Sequence, residues 1–421
     1  MTGMDSRLHA ALIAVAEARK QGDPVEEREQ IDAALMISPN HPQLLNARGM
    51  RALGDGDPAL ARRCFEGAAA ADPSEPALWM NVATAARALA DIDAERRALD
   101  HALGIDRLHF TANLRSAELE ERRGRHSEAA KAWSAVAQLA QGIDAPPPGV
   151  QDAAARAGAF LQAHKAGLAD ALDVELAGDP AMAGGGSRRF RACVDHVLGR
   201  RAIYRNQCAG VHFPFLPADE FFERDHFPWL SAIEARTDAI RAEALNLLTQ
   251  GGDAIRPYVR QDKGTPENIW SALDHSRDWS ACFLWEYGER NDAVCALCPE
   301  TAAALDLVPQ NHIPGKAPTA FFSILAPGAH IPAHTGVTNT RAIVHLPLVV
   351  PGGCRFRVGG ETREWREGEA FAFDDTIEHE AWNDSVEPRI VLIFDVWNPH
   401  LTADEQRLLK TFFLVSGRTE G

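Results

Sequence analysis

The sequence lacks the features of several large classes of protein. Its net charge is −16 and it has no basic stripe, which argues against nucleic-acid binding because such proteins neutralise phosphates with clustered lysine and arginine. The same charge argues against binding to anionic membranes, and no apolar run approaches the length of about 18 residues that spans a bilayer. The first residues carry Asp5 where a signal peptide needs positive charge and are typical of a helix. We therefore expect no signal peptide, no membrane partner and a cytoplasmic location.

Cysteine is scarce and unevenly placed. Seven cysteines, an odd number, are scattered through 421 residues, which indicates reduced thiols rather than a disulfide framework. Cys295 and Cys298 form a C-x-x-C pair, but no second pair follows at the spacing of a zinc site. We interpret the two as a structural pair in a helix, and a redox pair is the alternative.

The first third of the chain is repetitive. Pro39, Pro73 and Arg107 follow one another at intervals of 34 residues, and small and large apolar residues recur with the same period. The recurring sets are Ala34, Ala68, Ala102 and Val136; Ile31, Phe65, Leu99 and Trp133; and Gly49, Ala83 and Ala117. This pattern resembles the tetratricopeptide repeat, a helix–turn–helix unit, and about four units fit between residues 7 and 141.

Stacked repeats of this kind form an α-superhelix whose concave face usually holds a peptide or a partner protein. We expect that role here, and a rigid spacer or a dimerisation arm is the alternative. The match to the repeat is imperfect at Glu27 and Glu95, because an alanine is typical at those positions.

The last quarter of the chain has the pattern of a β protein. Segments with alternating or continuous β-branched character, separated by Pro-Gly, Gly-Gly and Asn-Asp turns, predict an antiparallel sandwich or jelly roll. These segments are residues 341–350, 355–358, 370–373 and 390–397. We therefore divide the chain into a repeat region (1–145), a helical linker region with a glycine triplet at 184–186 (146–211) and a β domain with flanking helices (212–421).

Two histidines and an arginine stand out in the β domain. His334 and His379 lie 45 residues apart at predicted strand edges, and Arg389 opens the last apolar strand. Neutral imidazole is a common ligand of redox-active divalent metals. A usual non-haem iron site begins with His-x-Asp/Glu, but here the carboxylate position is Gly336. The pattern predicts a metal held by two histidines, with a water in the third position.

These residues resemble those of the aspartyl/asparaginyl β-hydroxylases, a family of iron(II)- and 2-oxoglutarate-dependent oxygenases with a double-stranded β-helix fold. The resemblance covers about residues 213–401 and is carried by FSILAPGAH, HTGVTNTRAIVHLPL, FDDTIEHEAWND and RIVLIFDVWNP. That family holds iron with two histidines and has a glycine at the position of Gly336. Its animal members also have a tetratricopeptide region before the oxygenase, and they are anchored by an N-terminal membrane helix that we do not find here. Their secretory-pathway setting is therefore not carried over.

The resemblance assigns roles to individual residues. It implies that His334 and His379 bind iron and are catalytic. It also implies that Ser323 and Arg389 bind the distal carboxylate of 2-oxoglutarate, where a guanidinium and a hydroxyl suit a carboxylate. His345 matches the position that reaches the other end of this cosubstrate.

The resemblance also places residues on the substrate side. Arg341 matches a position near the substrate carboxylate. The family often has a second arginine two residues before the cosubstrate histidine, and here that residue is Ile343. Asp374 and Asp375 are typical of a β-turn. We predict that Asp375 accepts a hydrogen bond from metal-bound water or from His379.

The reaction that the resemblance implies is hydroxylation with iron(II), 2-oxoglutarate and dioxygen. The expected target is the β-carbon of an aspartyl or asparaginyl side chain in a peptide or protein, and the repeat face is its expected docking surface. Alternatives are a free or carrier-bound amino acid or a lipid acyl chain. A non-catalytic adaptor with a cupin-like barrel and a cupin-like metalloenzyme without 2-oxoglutarate are further alternatives. Ser323 with Arg389 argues against these last two, since neither needs a carboxylate clamp.

Overall fold

The computed structural model describes residues 3–182, 187–250 and 254–419 of the chain. The chain divides into two compact units, Met1–Arg189 and Phe190–Gly421. The glycine triplet at 184–186 lies outside the described residues. No helix in the described ranges is both long enough and apolar enough to cross a membrane.

The first unit is built from helices that pack as consecutive pairs. They are α1 (Gly3–Gln21), α2 (Pro24–Ile37), α3 (Pro42–Gly54), α4 (Pro58–Ala71), α5 (Pro76–Ala88), α6 (Ile92–Ile105), α7 (Phe110–Arg122), α8 (His126–Gln141) and α9 (Pro148–Glu175). Asp23, Asp57 and Asp91 cap α2, α4 and α6, because each carboxylate accepts a hydrogen bond from a backbone N–H of the first turn. The second helix of each of the first three pairs therefore begins at the same point of the 34-residue period.

The residues that define the period form the cores between these helices, as predicted. Ile31, Phe65, Leu99 and Trp133 are buried, and so are the small residues three positions later. Gly49 has no space for a side chain, since a Cβ there would overlap the ring of Phe65. The repeat pattern thus places small residues where helices approach closely, which explains why it can be read from the sequence.

The two glutamates that depart from the repeat are accommodated by ion pairs. Glu95 is buried in α6, and its carboxylate lies 2.7 Å from Arg122 and 3.8 Å from Arg115, both on α7. Glu27 is paired with Arg19 in α1. Burial of a carboxylate without a partner lowers the stability of the fold. The arginines therefore allow glutamate at two positions where the repeat typically has alanine.

The predicted helical region 146–211 is helical only in part. Helix α9 packs against α8, with the Phe160 ring 6.2 Å from the Trp133 ring. Helix α10 (Arg188–Val197) follows, but residues 201–213 form no helix. The reason is that backbone N–H groups of residues 206–213, which we name the strap, donate to carbonyls of loops far along the chain and not to one another.

The second unit consists of two antiparallel sheets with flanking helices. Its strands are β1 (Arg256–Pro257), β2 (Trp279–Glu286), β3 (Glu289–Arg290), β4 (Ala320–Leu325), β5 (His330–His334), β6 (Arg341–Val349), β7 (Cys354–Val358), β8 (Glu361–Glu364), β9 (Phe371–Phe373), β10 (His379–Asn383) and β11 (Arg389–Trp397). The helices after α10 are α11 (Leu230–Glu234), α12 (Thr237–Gln250), α13 (Asp292–Leu297), α14 (Pro299–Leu305) and α15 (Ala403–Thr419). The larger sheet has the order β1-β2-β4-β11-β6-β9, with β3 beside β2, and the smaller sheet has the order β5-β10-β7-β8.

Each face of the larger sheet packs against an apolar core. On its outer face Phe322 and Leu392 belong to one core with Ile240 of α12. On its inner face Trp279 and Leu325 belong to a second core, which includes Ile331, Phe356 and Ala381 of the smaller sheet. The two sheets therefore pack face to face, and the candidate site lies between them.

The C-x-x-C pair is part of the apolar packing around the sheets. Cys295 lies in α13 and Cys298 directly after it, and both are buried free thiols. Burial raises the pKa of both, that of Cys298 to about 12. A reactive thiol needs a lowered pKa and solvent access, so the structure favours the structural interpretation over the redox one.

Candidate active site

The two predicted metal ligands lie directly opposite each other on neighbouring strands. His334 ends β5, His379 begins β10, and the strand register pairs them. Their ring centroids are 4.1 Å apart. Antiparallel pairing thus brings together two residues that are 45 positions apart in the sequence.

Backbone carbonyls fix the orientation of both rings. Nδ1–H of His334 donates to the carbonyl of Pro332 at 2.8 Å, and Nδ1–H of His379 donates to that of Ile377 at 3.0 Å. This leaves Nε2 of each ring with a free lone pair, which is the usual state of a metal-binding imidazole. Burial lowers the pKa of both rings, that of His379 to about 3, so both are neutral.

Within residues 3–182, 187–250 and 254–419, no third side chain joins this pair as a metal ligand. Among the described residues no group of three His, Cys, Asp or Glu could hold a metal ion. Gly336 has no side chain, and a Cβ there would overlap the carboxylate of Asp375. One oxygen of Asp375 accepts from Arg341 at 3.1 Å, and the other is buried with no partner in the described protein. That free oxygen suits the acceptor role that we predict for Asp375.

Replacement of Gly336 tests this packing. We expect Gly336→Ala to lower the free energy of unfolding by about 1–3 kcal/mol, because the new methyl group must displace the Asp375 carboxylate. Gly336→Asp, which would add a carboxylate beside that of Asp375, should lower both stability and metal affinity. Urea unfolding measures the effect, with Gly352→Ala as the control because a Cβ at that glycine meets no atom within 4 Å. Equal stability of the two alanine variants would contradict the close approach.

Arg389 is a buried cation without an anion. Its side chain is 1% exposed, and no carboxylate of the described residues pairs with it. Nη2 donates to Ser323 Oγ at 3.0 Å, the guanidinium carbon lies 4.5 Å from the Trp365 ring centre, and Nε has no partner. Burial lowers its pKa to about 10, so it stays charged at neutral pH. A desolvated charge of this kind is stable only with a counter-charge, which an anionic ligand would supply.

Two further groups complete the surroundings of Arg389. Ser323 Oγ accepts from Trp279 Nε1 at 3.1 Å as well as from Arg389, which leaves its hydroxyl proton for another acceptor. His345 is buried, its Nδ1 has no partner in the described protein, and burial holds its pKa well below the usual range. These groups line the same cavity as His334 and His379, a cavity of about 790 Å³.

The donor set therefore fits an iron(II) ion together with a dicarboxylate. Two neutral imidazoles with free Nε2 atoms suit the metal. Arg389 and Ser323 offer a positive charge and a hydroxyl to a carboxylate, and His345 supplies a buried polar atom.

The predicted substrate residue Arg341 already has two carboxylate partners. Its Nη1 donates to Asp395 and its Nη2 to Asp375, each at 3.1 Å. Ile343 lies two residues after Arg341 on β6. It also lines the cavity, and its side chain has no polar atom. The arginine is thus present at the predicted position, with its charge shared between two acids.

The sequence did not reveal the role of the strap. Asn206 Nδ2 donates to Asp374 at 2.7 Å and to the Thr376 hydroxyl at 2.9 Å, in the loop before His379. The backbone N–H of Gly210 donates to Val337, in the loop after His334, at 2.8 Å. The strap therefore joins both histidine loops, although more than 100 residues separate it from them. No local pattern signals such a contact.

We expect Asn206→Ala to weaken metal binding by roughly tenfold, because outer contacts orient metal ligands. Titration of the metal-free protein with iron(II) measures this, and Asn246→Ala, an exposed position on α12, is the control. If both variants bind metal like the unaltered protein, the strap does not position the site.

Asp395 was also missed, although the sequence contained a signal. In RIVLIFDVW an acid stands in an otherwise apolar strand, and strand alternation puts it on the same face as Arg389. An inward-facing acid requires a cation, and Arg341 supplies it.

The fold and the site together define a domain of two antiparallel sheets with a histidine pair and an anion pocket between them. Residues 234–399 match the model of the family described as Aspartyl/Asparaginyl beta-hydroxylase, so this part of the chain is similar to that family. The matched segment contains each of the predicted site residues.

Known proteins share parts of the chain. The human aspartyl/asparaginyl beta-hydroxylase is 41% identical over 138 residues, 32% of this chain and 18% of that protein. An ornithine lipid ester-linked acyl 2-hydroxylase from Rhizobium tropici is 37% identical over 176 residues, 41% of this chain and 58% of that protein. MamA from Desulfovibrio magneticus RS-1 aligns with 33% of this chain and 78% of its own, at 19% identity and a TM-score of 0.31. The matches thus span under a fifth of the human relative and under two thirds of the bacterial hydroxylase.

Proposed function

We propose that this chain is an iron(II)- and 2-oxoglutarate-dependent dioxygenase whose sheet domain is a double-stranded β-helix. The observation that carries the proposal is the unpaired, buried Arg389 in the same cavity as two histidines with free Nε2 atoms. The iron and 2-oxoglutarate, when bound, supply the activation of dioxygen that hydroxylation requires.

The side chains of the protein have separate tasks in this proposal. His334 and His379 hold the metal, and their backbone hydrogen bonds keep Nε2 unprotonated. Arg389 and Ser323 bind the distal carboxylate of 2-oxoglutarate, and His345 contacts its other end. The unpartnered oxygen of Asp375 would accept a hydrogen bond at the metal site. The apolar cores around these groups exclude bulk water and strengthen each charge interaction.

The substrate that the family description favours is an aspartyl or asparaginyl side chain, hydroxylated at its β-carbon, in a peptide or protein. An aliphatic acyl chain is the second candidate. It is favoured by the apolar Ile343 in the cavity and by the name of the Rhizobium relative, an acyl hydroxylase.

The direct test is the conversion of 2-oxoglutarate to succinate by the purified protein with iron(II) and dioxygen. Slow succinate formation without substrate is expected. No iron-dependent succinate formation, with or without candidate substrates, would contradict the proposal.

We propose that the repeat unit binds a segment of the substrate remote from the reacting carbon. A chain that begins near Arg188 should still bind iron(II) and 2-oxoglutarate, because each candidate site residue lies after that point. Its kcat/KM for the native substrate should fall, since remote binding energy contributes to positioning. Comparison of coupled and uncoupled succinate release measures this. Equal efficiency of the short and full chains would favour a spacer or dimerisation arm.

A further inference from the structure

We propose that the cavity takes an uncharged aliphatic chain beside the histidine pair and an anionic group at its rim, so that Ile343 and the paired Arg341 exclude an acidic side chain. This substrate class rests on the proposed function, because it assumes that the cavity holds the hydroxylated group.

The charges inside the substrate side of the cavity do not suit a carboxylate. Arg341 is bonded to Asp375 and Asp395, both buried, so one cation faces two acids. A substrate carboxylate placed there would meet an excess of negative charge at low dielectric, which is strongly unfavourable. The positively charged Arg389 is reserved for the cosubstrate in the proposed function.

Ile343 makes the adjacent surface apolar. It lies on β6, where it pairs with Asp395 on β11 and with Phe373 on the edge strand β9. Its side chain lines the cavity and offers only methyl and methylene groups. An acidic or amide group at this position would lose its bonds to water without replacement.

An aromatic wall continues from this point toward the solvent. The rings of Tyr258 and Trp279 are stacked 3.9 Å apart, and those of Phe283 and Phe321 are 4.9 Å apart. Tyr258 connects the two pairs, with its ring 5.3 Å from Phe321. Trp270 brings the wall to the metal site, since its ring is 4.8 Å from that of His334. Contact with such a wall favours a chain of methylene groups.

The rim of the cavity is positively charged, in contrast to the apolar wall. Arg260 and Lys316 are exposed and line the cavity, and neither has an ion-pair partner within the described part of the chain. Arg256, by contrast, is paired with Glu286. On the substrate side, the unpaired cations therefore lie at the rim, whereas Arg341 inside the cavity is paired with two acids. This difference orients a chain with its anionic end outward.

Binding is tested first on the full, metal-free protein by quenching of tryptophan fluorescence, because Trp270 and Trp279 line the cavity. The probes are dodecanoate, dodecanol, and blocked peptides containing aspartate or leucine. Dodecanoate should bind at least tenfold more tightly than the aspartyl peptide. An aliphatic chain could belong to an amino-acid side chain or to an acyl group, and the leucyl peptide distinguishes these two sources. Tighter binding of the leucyl peptide than of dodecanoate would identify the ligand as an aliphatic side chain. Equal or tighter binding of the aspartyl peptide would overturn the proposal.

Variants test the two halves of the proposal. Ile343→Arg should bring the affinity for the aspartyl peptide to at least that for dodecanoate, while Ile343→Leu should keep the original preference. The double variant Arg260→Ala, Lys316→Ala should bind dodecanoate more weakly but bind dodecanol with unchanged affinity. If this double variant weakens both equally, the rim does not recognise an anion.

Succinate release distinguishes this proposal from the proposed function. Uncoupled succinate formation shows that the reaction class is right, whatever the substrate. Uncoupled succinate formation that the aspartyl peptide stimulates more than either aliphatic probe would show that the aliphatic substrate class is wrong. The proposed function would then still stand. If uncoupled succinate formation is absent, the proposed function fails, and fluorescence alone decides the binding specificity.

Discussion

Arg389→Ala is expected to raise the concentration of 2-oxoglutarate required for half-saturation about 30-fold or more. Loss of a charged partner in a desolvated pocket typically costs about 2–5 kcal/mol, and each 1.4 kcal/mol is tenfold in affinity. Arg389 is buried, has a single hydroxyl partner and lies in the cavity of the histidine pair. Binding of 2-oxoglutarate to the iron-loaded protein measures the effect.

Two variants make this result specific. Arg389→Lys should recover only part of the affinity, because an ammonium group cannot reproduce the two-pronged contact of a guanidinium with a carboxylate. Arg355→Ala is the control, since Arg355 is exposed and paired with Asp384 at 2.6 Å. Unchanged dependence on 2-oxoglutarate in Arg389→Ala would show that this arginine binds something else.

His334→Ala and His379→Ala should each abolish turnover and reduce iron binding below detection. Each variant leaves a single protein ligand, because no third His, Cys, Asp or Glu in the described residues joins the pair. Turnover by succinate release and bound iron per chain are the measurements.

His330→Ala is the matched control for the histidine variants. His330 lies on the same strand, but it is exposed and its ring is stacked on Trp382 at 5.2 Å. It should retain iron and activity. Full activity in either ligand variant, or equal loss in the control, would contradict the assignment.

The repeat unit could be predicted because its determinants are local. Each helix pair buries residues against its neighbours. Phe65, Leu99 and Trp133 recur every 34 residues because they occupy equivalent buried positions in successive repeats. The error in the region 146–211 has the opposite origin. The strap forms no helix because its bonding partners lie beyond residue 330, and propensity along the chain carries no information about them.

Candidate site residues could be named from the sequence where residue type indicates chemistry, and the family resemblance assigned their roles. Histidines at strand edges and an arginine in an apolar strand are costly unless they have a function, and the motifs around them are distinctive. The pairing of Arg341 with two acids was not predicted, because it depends on the register of β11 with β6 and on the loop before β10. Sequence patterns thus identified candidate residues, whereas the charge balance around them required the structure.

The central claim is that His334, His379 and Arg389 form one site for iron(II) and 2-oxoglutarate. Anaerobic titration of the protein with both, followed by the weak visible charge-transfer absorption of the chelate, tests it most directly. We predict saturation at one iron per chain, a band that requires 2-oxoglutarate, and a shift of its midpoint in Arg389→Ala but not in Arg355→Ala. No band at saturating iron and 2-oxoglutarate, or an unaltered band in His379→Ala, would contradict the claim.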